Sequence, residues 1–474
     1  MSEEYTYTQG DILIEPYEFK SIAKLKITKE LNEHSKLYIS GIISDDKADE
    51  YVETAGSDES IKVCVKDDEG NVTDLFQGIV TNIRINANDD VRTLQIEGLS
   101  KTFLMDIQKK SRSFQNEEST YEDVINIVNG GYSNIQFIAN DNYGAKIDKL
   151  IVQYKETDWQ FIKRIASHYN CGVVPACQLS DIKYTLGCPA DNKVFNLNKF
   201  NYSIKKDLQE YGIRSANEEY ELSDGNLISY EITTNKIMNL YNYVTFKGRN
   251  LLVYKCEMEI VRGILSNKYI LRDENGMKVR KIYNNNIVGI SLKGTVLDVQ
   301  KDTVKVSLDI DGSKTPKEQA RWFEFATIFS SPDGTGWYCM PEISDVVRLY
   351  FPENQEKYSY VISSMHYESS NTSKRNDPSR KSIGTKYGKE IVMGPGVVEI
   401  IGNGNLLMRL TDDGGIEVKS DKKILLDAGE NIEINGGGKV TIKGNEGINL
   451  AQSNANMVIQ DDITMSGGKV NIQS

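Results

Sequence analysis

Apolar residues recur every eight positions in the C-terminal part of the chain, from about Ile391 onward. One column begins at Val392 and ends at Ile448, and a second column lies two residues later along the chain. Apolar residues at positions i and i+2 share one face of a strand, because successive side chains alternate between faces. Turn sequences such as the glycine-rich stretch 435–438 fill the other half of each octad. The pattern predicts short strands joined by corners.

A single octad cannot bury its apolar face, whereas stacked octads can. Two architectures satisfy the repeat: a β-helix within one chain, and a prism in which three chains wind around one axis. The octad is short for one coil of a single-chain β-helix, so we predict an intertwined triple-stranded β-helix or prism over 391–474. At the usual strand spacing its length is about 50 Å. The predicted needle core consists of Val392, Ile400, Met408, Leu410, Ile416, Val418, Ile424, Leu426, Ile432, Ile434, Val440, Ile442, Ile448 and Leu450.

The residues before the octads predict mainly β structure with a small α+β insert. About five short strands with turn signals between them occur in 287–368, which is the size and strand count of an OB-type barrel. The segment 369–390 is polar at its start and has no periodicity, so it is predicted to be a linker.

Two helices are predicted within the insert from their end signals. The first covers 119–128, with Ser119 and Glu122 as its capping box, and the second covers 157–169, with Thr157 and Gln160. Strand patterns on both sides of these helices indicate barrels or sheets that flank the insert.

Composition narrows the class of protein. The chain has 474 residues and a formal net charge of −12, which argues against nucleic acid as the main partner. An uninterrupted apolar stretch of about 18 residues, which a membrane-spanning helix needs, does not occur, and no secretory signal is recognisable at the N-terminus. Six cysteines in a chain of this length indicate reduced thiols in the cytosol. We therefore expect a soluble, acidic protein of several domains.

The sequence offers little catalytic chemistry. His168, Cys171, Cys177 and Cys188 have the residue types of metal ligands, but they lack the paired Cys-x-x-Cys spacing of a zinc site and are predicted to be buried thiols. The abundant carboxylates are expected to form a solvated acidic surface. No catalytic, cofactor-binding or metal-binding residue is predicted, and the chain is not expected to be an enzyme.

Three stretches resemble a known family. The segment 76–85 (FQGIVTNIRI) is similar to a strand of the phage late-control protein. The segment 153–170 (QYKETDWQFIKRIASHYN) is similar to the family's strand-to-helix motif. The segment 321–351 is similar to its OB barrel, with Trp322 and Pro341 at matching places. With the octads, these stretches resemble the VgrG and contractile phage-tail hub-and-spike family over nearly the whole chain.

This resemblance implies two hub barrels that resemble the late-control D hub, a collar of OB barrels and a trimeric β-prism needle. It also implies a spike without its own enzyme, because a linker stands where some phage spikes carry a lysozyme domain. The implied domains are a first hub β-barrel at 1–100, an α/β insert at 101–190, a second hub β-barrel at 191–286, the OB-fold barrel at 287–368, the linker at 369–390 and the octad-repeat needle at 391–474.

The function that the resemblance implies is mechanical. Three chains would form the central spike of a contractile injection system, cap its inner tube and puncture the target cell envelope when the sheath contracts. Implied partners are the inner tube protein, baseplate proteins, a tape-measure protein or effector cargo, and a tip protein of the PAAR type that contacts Val470, Ile472 and Ser474.

The resemblance further implies assembly in the bacterial cytoplasm, as part of a phage-tail-like particle that is released or ejected toward the target cell. Phage tail, tailocin and type VI secretion system remain open as the particle. Two other functions also remain open: a tail-associated adhesin, and a hydrolase of cell-wall polysaccharide with a β-helical domain.

Overall fold

The structure is a computed structural model that describes residues 5–56, 58–139, 141–188, 193–197, 201–217, 221–367, 372–403, 405–459 and 469. It divides into two compact units, Met1–Tyr367 and Glu368–Ser474. The described chain is mainly β, as the sequence predicts. Among its helices, none is both long enough and apolar enough to span a membrane.

The described residues of the first unit form a sheet of twelve strands. Its first half comes from β1 (Ile12–Glu15), β2 (Ser21–Glu30), β3 (Lys36–Ile43), β4 (Ser60–Lys66), β5 (Val72–Asn88) and β6 (Val91–Ser100), with α1 (Ala48–Thr54) before β4.

The insert follows β6 and carries its own short sheets and two helices. Its elements are β7 (Lys109–Phe114), α2 (Tyr121–Asn129), β8 (Ile135–Ala139), β9 (Ile151–Thr157), α3 (Asp158–His168), β10 (Val173–Pro175) and β11 (Ile182–Leu186). β7 pairs with β9, and β11 lies between β10 and β8.

The second half of the large sheet comes after the insert. Its elements are β12 (Val194–Leu197), β13 (Tyr202–Lys206), α4 (Leu208–Asn217), β14 (Ile228–Thr234), β15 (Tyr243–Phe246), β16 (Arg249–Val261) and β17 (Ile264–Arg272). The strand order is β1-β4-β5-β6-β3-β2-β16-β17-β14-β13, and β15 pairs with β16 and with β12.

The strands of the two predicted hub barrels therefore form one continuous sheet. β2 pairs antiparallel with β16, with Ile27 opposite Met258. Buried side chains from both halves share one core, which includes Leu25, Ile39 and Tyr269. The β2–β16 ladder joins strands that are far apart in the sequence. Sequence periodicity could not predict it, because periodicity indicates where strands occur but not which strands pair.

A smaller sheet ends the first unit. It has the order β20-β19-β18-β21-β22. A bridge between Phe325 and Val361 links the residue after β20 to β22, so the sheet closes on itself. Its strands are β18 (Ser291–Gln300), β19 (Thr303–Leu308), β20 (Trp322–Glu324), β21 (Val346–Tyr350) and β22 (Tyr360–Ser364). Assignment of this closed sheet to the OB class remains a prediction.

The helix-end predictions were right for one helix and one residue early for the other. Thr157 caps α3 and Gln160 completes the capping box, as the sequence predicts. For α2 the box is formed by Thr120 and Asp123, not by Ser119 and Glu122. Because Thr120 and Asp123 provide the same pair of side-chain oxygens as the predicted box, the spacing alone did not fix the helix start.

A buried ion cluster joins the insert to the smaller sheet. The Arg164 guanidinium of α3 donates to the Glu156 carboxylate at 2.9 Å and to the Glu356 carboxylate at 2.8 Å. Arg164 also donates to the Val152 carbonyl at 2.7 Å. These contacts hold α3 in place, and they give Glu156 and Arg164 of the 153–170 motif a structural role.

The second unit contains a five-stranded antiparallel sheet followed by a hairpin. The sheet consists of β23 (Lys381–Gly384), β24 (Glu390–Gly394), β25 (Val397–Ile401), β26 (Leu407–Thr411) and β27 (Gly415–Lys419), and the hairpin of β28 (Ile448–Gln452) and β29 (Ala455–Ile459). The sheet begins at Lys381, inside the segment predicted to be a linker, because Lys381–Gly384 pairs with β24 despite its weak apolar pattern.

Candidate functional site

The best candidate for a functional surface is the sheet of the second unit, whose two faces differ in chemistry. The register places Ile391 opposite Ile400, Ile400 opposite Met408, and Met408 opposite Val418. On the other face, Val392 lies opposite Glu399, and Glu399 lies opposite Arg409. The alternation of a strand thus separates an apolar face from a charged face.

The apolar face is exposed. Apart from the half-buried Leu410, its apolar side chains are between 39% and 70% exposed. Full burial of one such side chain contributes about 1.5–3 kcal/mol, so a face of this size is costly to leave in water. The face is made of Ile383, Ile391, Met393, Val398, Ile400, Met408, Leu410, Ile416 and Val418.

The charged face is satisfied within the chain. The Arg409 guanidinium donates to the Glu399 carboxylate at 2.7 Å and lies 3.5 Å from the Glu417 carboxylate. Arg380 lies 3.8 Å from the second oxygen of Glu399. Hydrogen bonding to Lys419, with further contributions from the Lys419 and Arg409 charges, lowers the pKa of the Glu417 carboxyl. This face has internal partners, whereas the apolar face presents a surface that another chain could cover.

One predicted core residue, Val392, lies on the charged face of this sheet. The octad column groups Val392 with Ile400, but the register puts Ile391 beside Ile400 and puts Val392, fully buried, on the charged face. The reason is the turns. The tight turn at Pro395 and Gly396 sets Ile391 and Ile400 nine positions apart. The connection over 402–406 sets Ile400 and Met408 eight positions apart, and the turn over 412–414 sets Met408 and Val418 ten positions apart. Eight is therefore only the average spacing.

The remaining predicted core residues fall into three groups. Those on the apolar face are Ile400, Met408, Leu410, Ile416 and Val418, while Ile448 and Leu450 lie in β28. Those between the sheet and the hairpin are Ile424, Leu426, Ile432, Ile434, Val440 and Ile442. Whether they form a needle core stays a prediction. The predicted tip contacts Val470, Ile472 and Ser474 lie outside the described residues.

The segment 420–447 is apolar at its octad positions, yet it forms no strand or helix within the described chain. Its six predicted core residues are each at least 50% exposed. Backbone N–H and C=O groups require hydrogen-bond partners, and strand-forming sequences obtain them from neighbouring strands. Within the described residues, a single copy does not supply such a ladder to this segment.

The residues with metal-ligand chemistry do not form a cluster. The His168 imidazole forms a hydrogen bond with the Ile282 carbonyl at 3.2 Å. The Cys171 thiol lies 3.4 Å from the Tyr169 carbonyl, and the Cys188 thiol lies near the Tyr243 hydroxyl. Cys177 is buried. Within the described ranges, no group of three or more His, Cys, Asp and Glu side chains has the geometry of a metal site.

Comparison with known proteins gives a fold and one partial sequence match. The sequence model of the Alg8 N-terminal domain matches residues 22–185, about a third of the chain. No curated protein matches the chain. The similarity that covers most of the chain is structural.

The structural matches include a type VI secretion protein and chains of PdpA–VgrG complexes. The Escherichia coli c3393 protein, a component of the type VI secretion system that is similar to the bacteriophage T4 tail proteins gp27 and gp5, aligns with a TM-score of 0.53 and 11% identity, over 75% of this chain and 99% of that one. A chain of the Francisella PdpA–VgrG complex aligns with a TM-score of 0.55 and 10% identity, over 86% of this chain and 88% of that one. A chain of the lidless PdpA–VgrG complex aligns with a TM-score of 0.56 and 10% identity, over 84% of this chain and 94% of that one. The chain has the VgrG-like fold of these proteins.

Proposed function

We propose that three copies of this chain form the central spike of a contractile injection system. The observation that carries the proposal is the exposed apolar face of the β23–β27 sheet, in a chain with the fold of VgrG and gp27–gp5 proteins. The first units would form the hub that caps the inner tube, and the second units would pack their apolar faces around one axis as the needle.

Three copies account for both features of the second unit. Apolar faces that meet around an axis are removed from water, which is the main favourable contribution to association. The segments 420–447 of three chains can then supply one another with the strand partners that a single copy lacks. Three continuous ladders around a dry core give a stiff needle, which is the mechanical property that puncturing an envelope requires.

The partners follow from this role. We propose that the hub contacts the inner tube and baseplate proteins, and that it carries a tape-measure protein or effector. A PAAR-type protein is proposed to seat on the needle end at Val470, Ile472 and Ser474. The chain would be assembled in the bacterial cytoplasm and would leave it in a phage-tail-like particle. The work of the spike is proposed to be mechanical, without a catalytic site of its own.

Negative-stain electron microscopy of the purified full chain tests the spike. We expect averaged images with a broad hub, a narrow rod and threefold symmetry along the rod axis. Compact particles of a single chain would overturn the proposal. A peptidoglycan zymogram tests the absence of hydrolase activity, and clearing that depends on the chain would favour the polysaccharide hydrolase instead.

A further inference from the structure

The connection between β20 and β21 contains a hairpin, residues 327–338, which we call the apolar hairpin. Its two arms are joined by an antiparallel bridge between Ser330 and Gly336. The Trp337 N–H donates a hydrogen bond to the Phe329 carbonyl at 2.9 Å. These backbone contacts give the hairpin a defined shape, although it lies outside the named strands of the smaller sheet.

The large side chains of the apolar hairpin face water. Four of them are between 53% and 85% exposed: Ile328, Phe329, Trp337 and Tyr338. The Tyr338 hydroxyl donates a hydrogen bond to the Lys301 carbonyl at 3.1 Å, which holds the ring in place. Exposed apolar patches mark interaction surfaces, and an ordered patch loses little conformational entropy when it binds.

The apolar hairpin carries almost no charge. Over residues 325–341 the only charged residue is Asp333, in a chain of which 26% of the residues are charged. The Asp333 carboxylate accepts hydrogen bonds from the N–H and the hydroxyl of Thr335 at 3.0 Å and 2.7 Å. Interface cores are depleted in charged residues and enriched in aromatic ones. Such a surface can meet its own copy without electrostatic repulsion, whereas it offers a foreign partner little charge complementarity.

The base of the apolar hairpin lies beside the last strand of the first unit. Phe325 forms a bridge with Val361 of β22, and the Ala326 N–H donates to the Val361 carbonyl at 2.8 Å. From β22 the chain continues to the boundary between the units at Tyr367. In the proposed spike the second units gather three chains at one axis, so the three places where the chain leaves a first unit are gathered with them. Copies that are already linked have a high effective concentration, so a contact of modest size suffices.

We propose that the apolar hairpins of neighbouring copies pack against one another and form a second contact within the spike, separate from the needle. The proposal rests on the proposed function, because the second units bring the copies together. The hairpin contact joins first units, whereas the needle joins second units. It removes Ile328 and the three aromatic side chains of the hairpin from water.

Cross-linking of the purified full chain with a flexible bismaleimide tests the hairpin contact. Cys339 directly follows the hairpin, and it is the exposed one among the six cysteines, all of which the structure describes. We expect covalent dimers and trimers on denaturing gels, and Cys339→Ser should abolish them. Ile328→Asp should lower the cross-linked fraction by roughly tenfold, because it places like charges in the contact. The matched control Ile138→Asp makes the same change at an exposed position of β8 and should cross-link as the wild type does.

Acrylamide quenching of tryptophan fluorescence gives a second readout, which does not depend on access to Cys339. Trp337 is the exposed one among the three tryptophans, each of which lies in the described part of the chain. Contact between copies should shield its ring. Quenching should therefore be stronger in Ile328→Asp than in the wild type and in Ile138→Asp.

Light scattering on the same samples separates this proposal from the spike itself. A trimer in which the two aspartate variants cross-link and are quenched to the same extent would overturn the hairpin contact and leave the spike standing. A monomeric full chain would overturn the spike, and the hairpin contact with it. Because Ile328 is 85% exposed in a single copy, its replacement leaves the core of the first unit intact, so a loss of cross-linking reports on the contact.

Discussion

The guanidinium of Arg164 is 1% exposed and lies between the carboxylates of Glu156 and Glu356. Removal of one partner from a buried ion cluster leaves the remaining charges desolvated and uncompensated. The sequence placed Arg164 in a family motif, but Glu356, 192 positions away, could not be predicted as its partner. Residue-scale contacts across such distances depend on the tertiary fold.

Arg164→Met should therefore lower the free energy of unfolding by about 3–5 kcal/mol. The matched control is Lys47→Met, which removes a surface lysine that lies 2.9 Å from Glu18 and should cost much less stability, because surface ion pairs contribute little. Urea denaturation followed by tryptophan fluorescence measures both values. Similar small losses in the two variants would contradict the stabilising role of the buried cluster.

Asp158 predicts a pH dependence. Burial raises the pKa of its carboxyl, but hydrogen bonds from Lys110, Tyr132 and Gln153, with the charge of Arg112, outweigh burial and lower the pKa. A carboxyl with a lowered folded-state pKa adds stability above its unfolded pKa, near 4, and loses that contribution as the pH falls through the folded value.

The stability difference between wild type and Asp158→Asn should accordingly be largest near pH 7 and should shrink below about pH 4. Denaturation curves at several pH values measure it. A difference that is constant with pH, or that grows toward acid, would show that the carboxylate charge is not what these hydrogen bonds stabilise.

At the scale of elements, periodicity predicted strands better than it predicted their faces. The alternation of polar and apolar residues correctly indicated strands near 392, 400, 408 and 416. It grouped Val392 with Ile400, which lie on opposite faces of this sheet, because register depends on turn length and a shift by one residue reverses every side chain of a strand. The turn at Pro395 and Gly396 causes this shift, because it places paired residues nine positions apart although the average spacing is eight.

The apolar face of the β23–β27 sheet leads to a prediction at the scale of elements. Ile400→Asp puts a charge at the centre of that face and should shift the chain from trimer to monomer, because a buried unpaired carboxylate is unfavourable. The control is Ser382→Asp, which places the same charge on the opposite, polar face and should leave the assembly intact. Sedimentation velocity distinguishes the species, and equal trimer content in both variants would show that the face is not buried.

At the scale of the molecule, the sequence predicted the mainly β class of the fold but not how its sheets connect. The resemblance and the patterns indicated β structure on both sides of a small insert. The continuous sheet through the β2–β16 ladder joins residues more than 200 positions apart. Such contacts depend on which sheet edges meet, and that information is spread over the whole chain.

The central claim is that the second unit assembles three copies of the chain. Light scattering on the full chain and on a chain that ends at Tyr367, the boundary between the two units, tests it most directly. The account predicts a mass of about three times 53.4 kDa for the full chain and a weaker assembly or a monomer for the shorter one. A stable monomer of the full chain would contradict it.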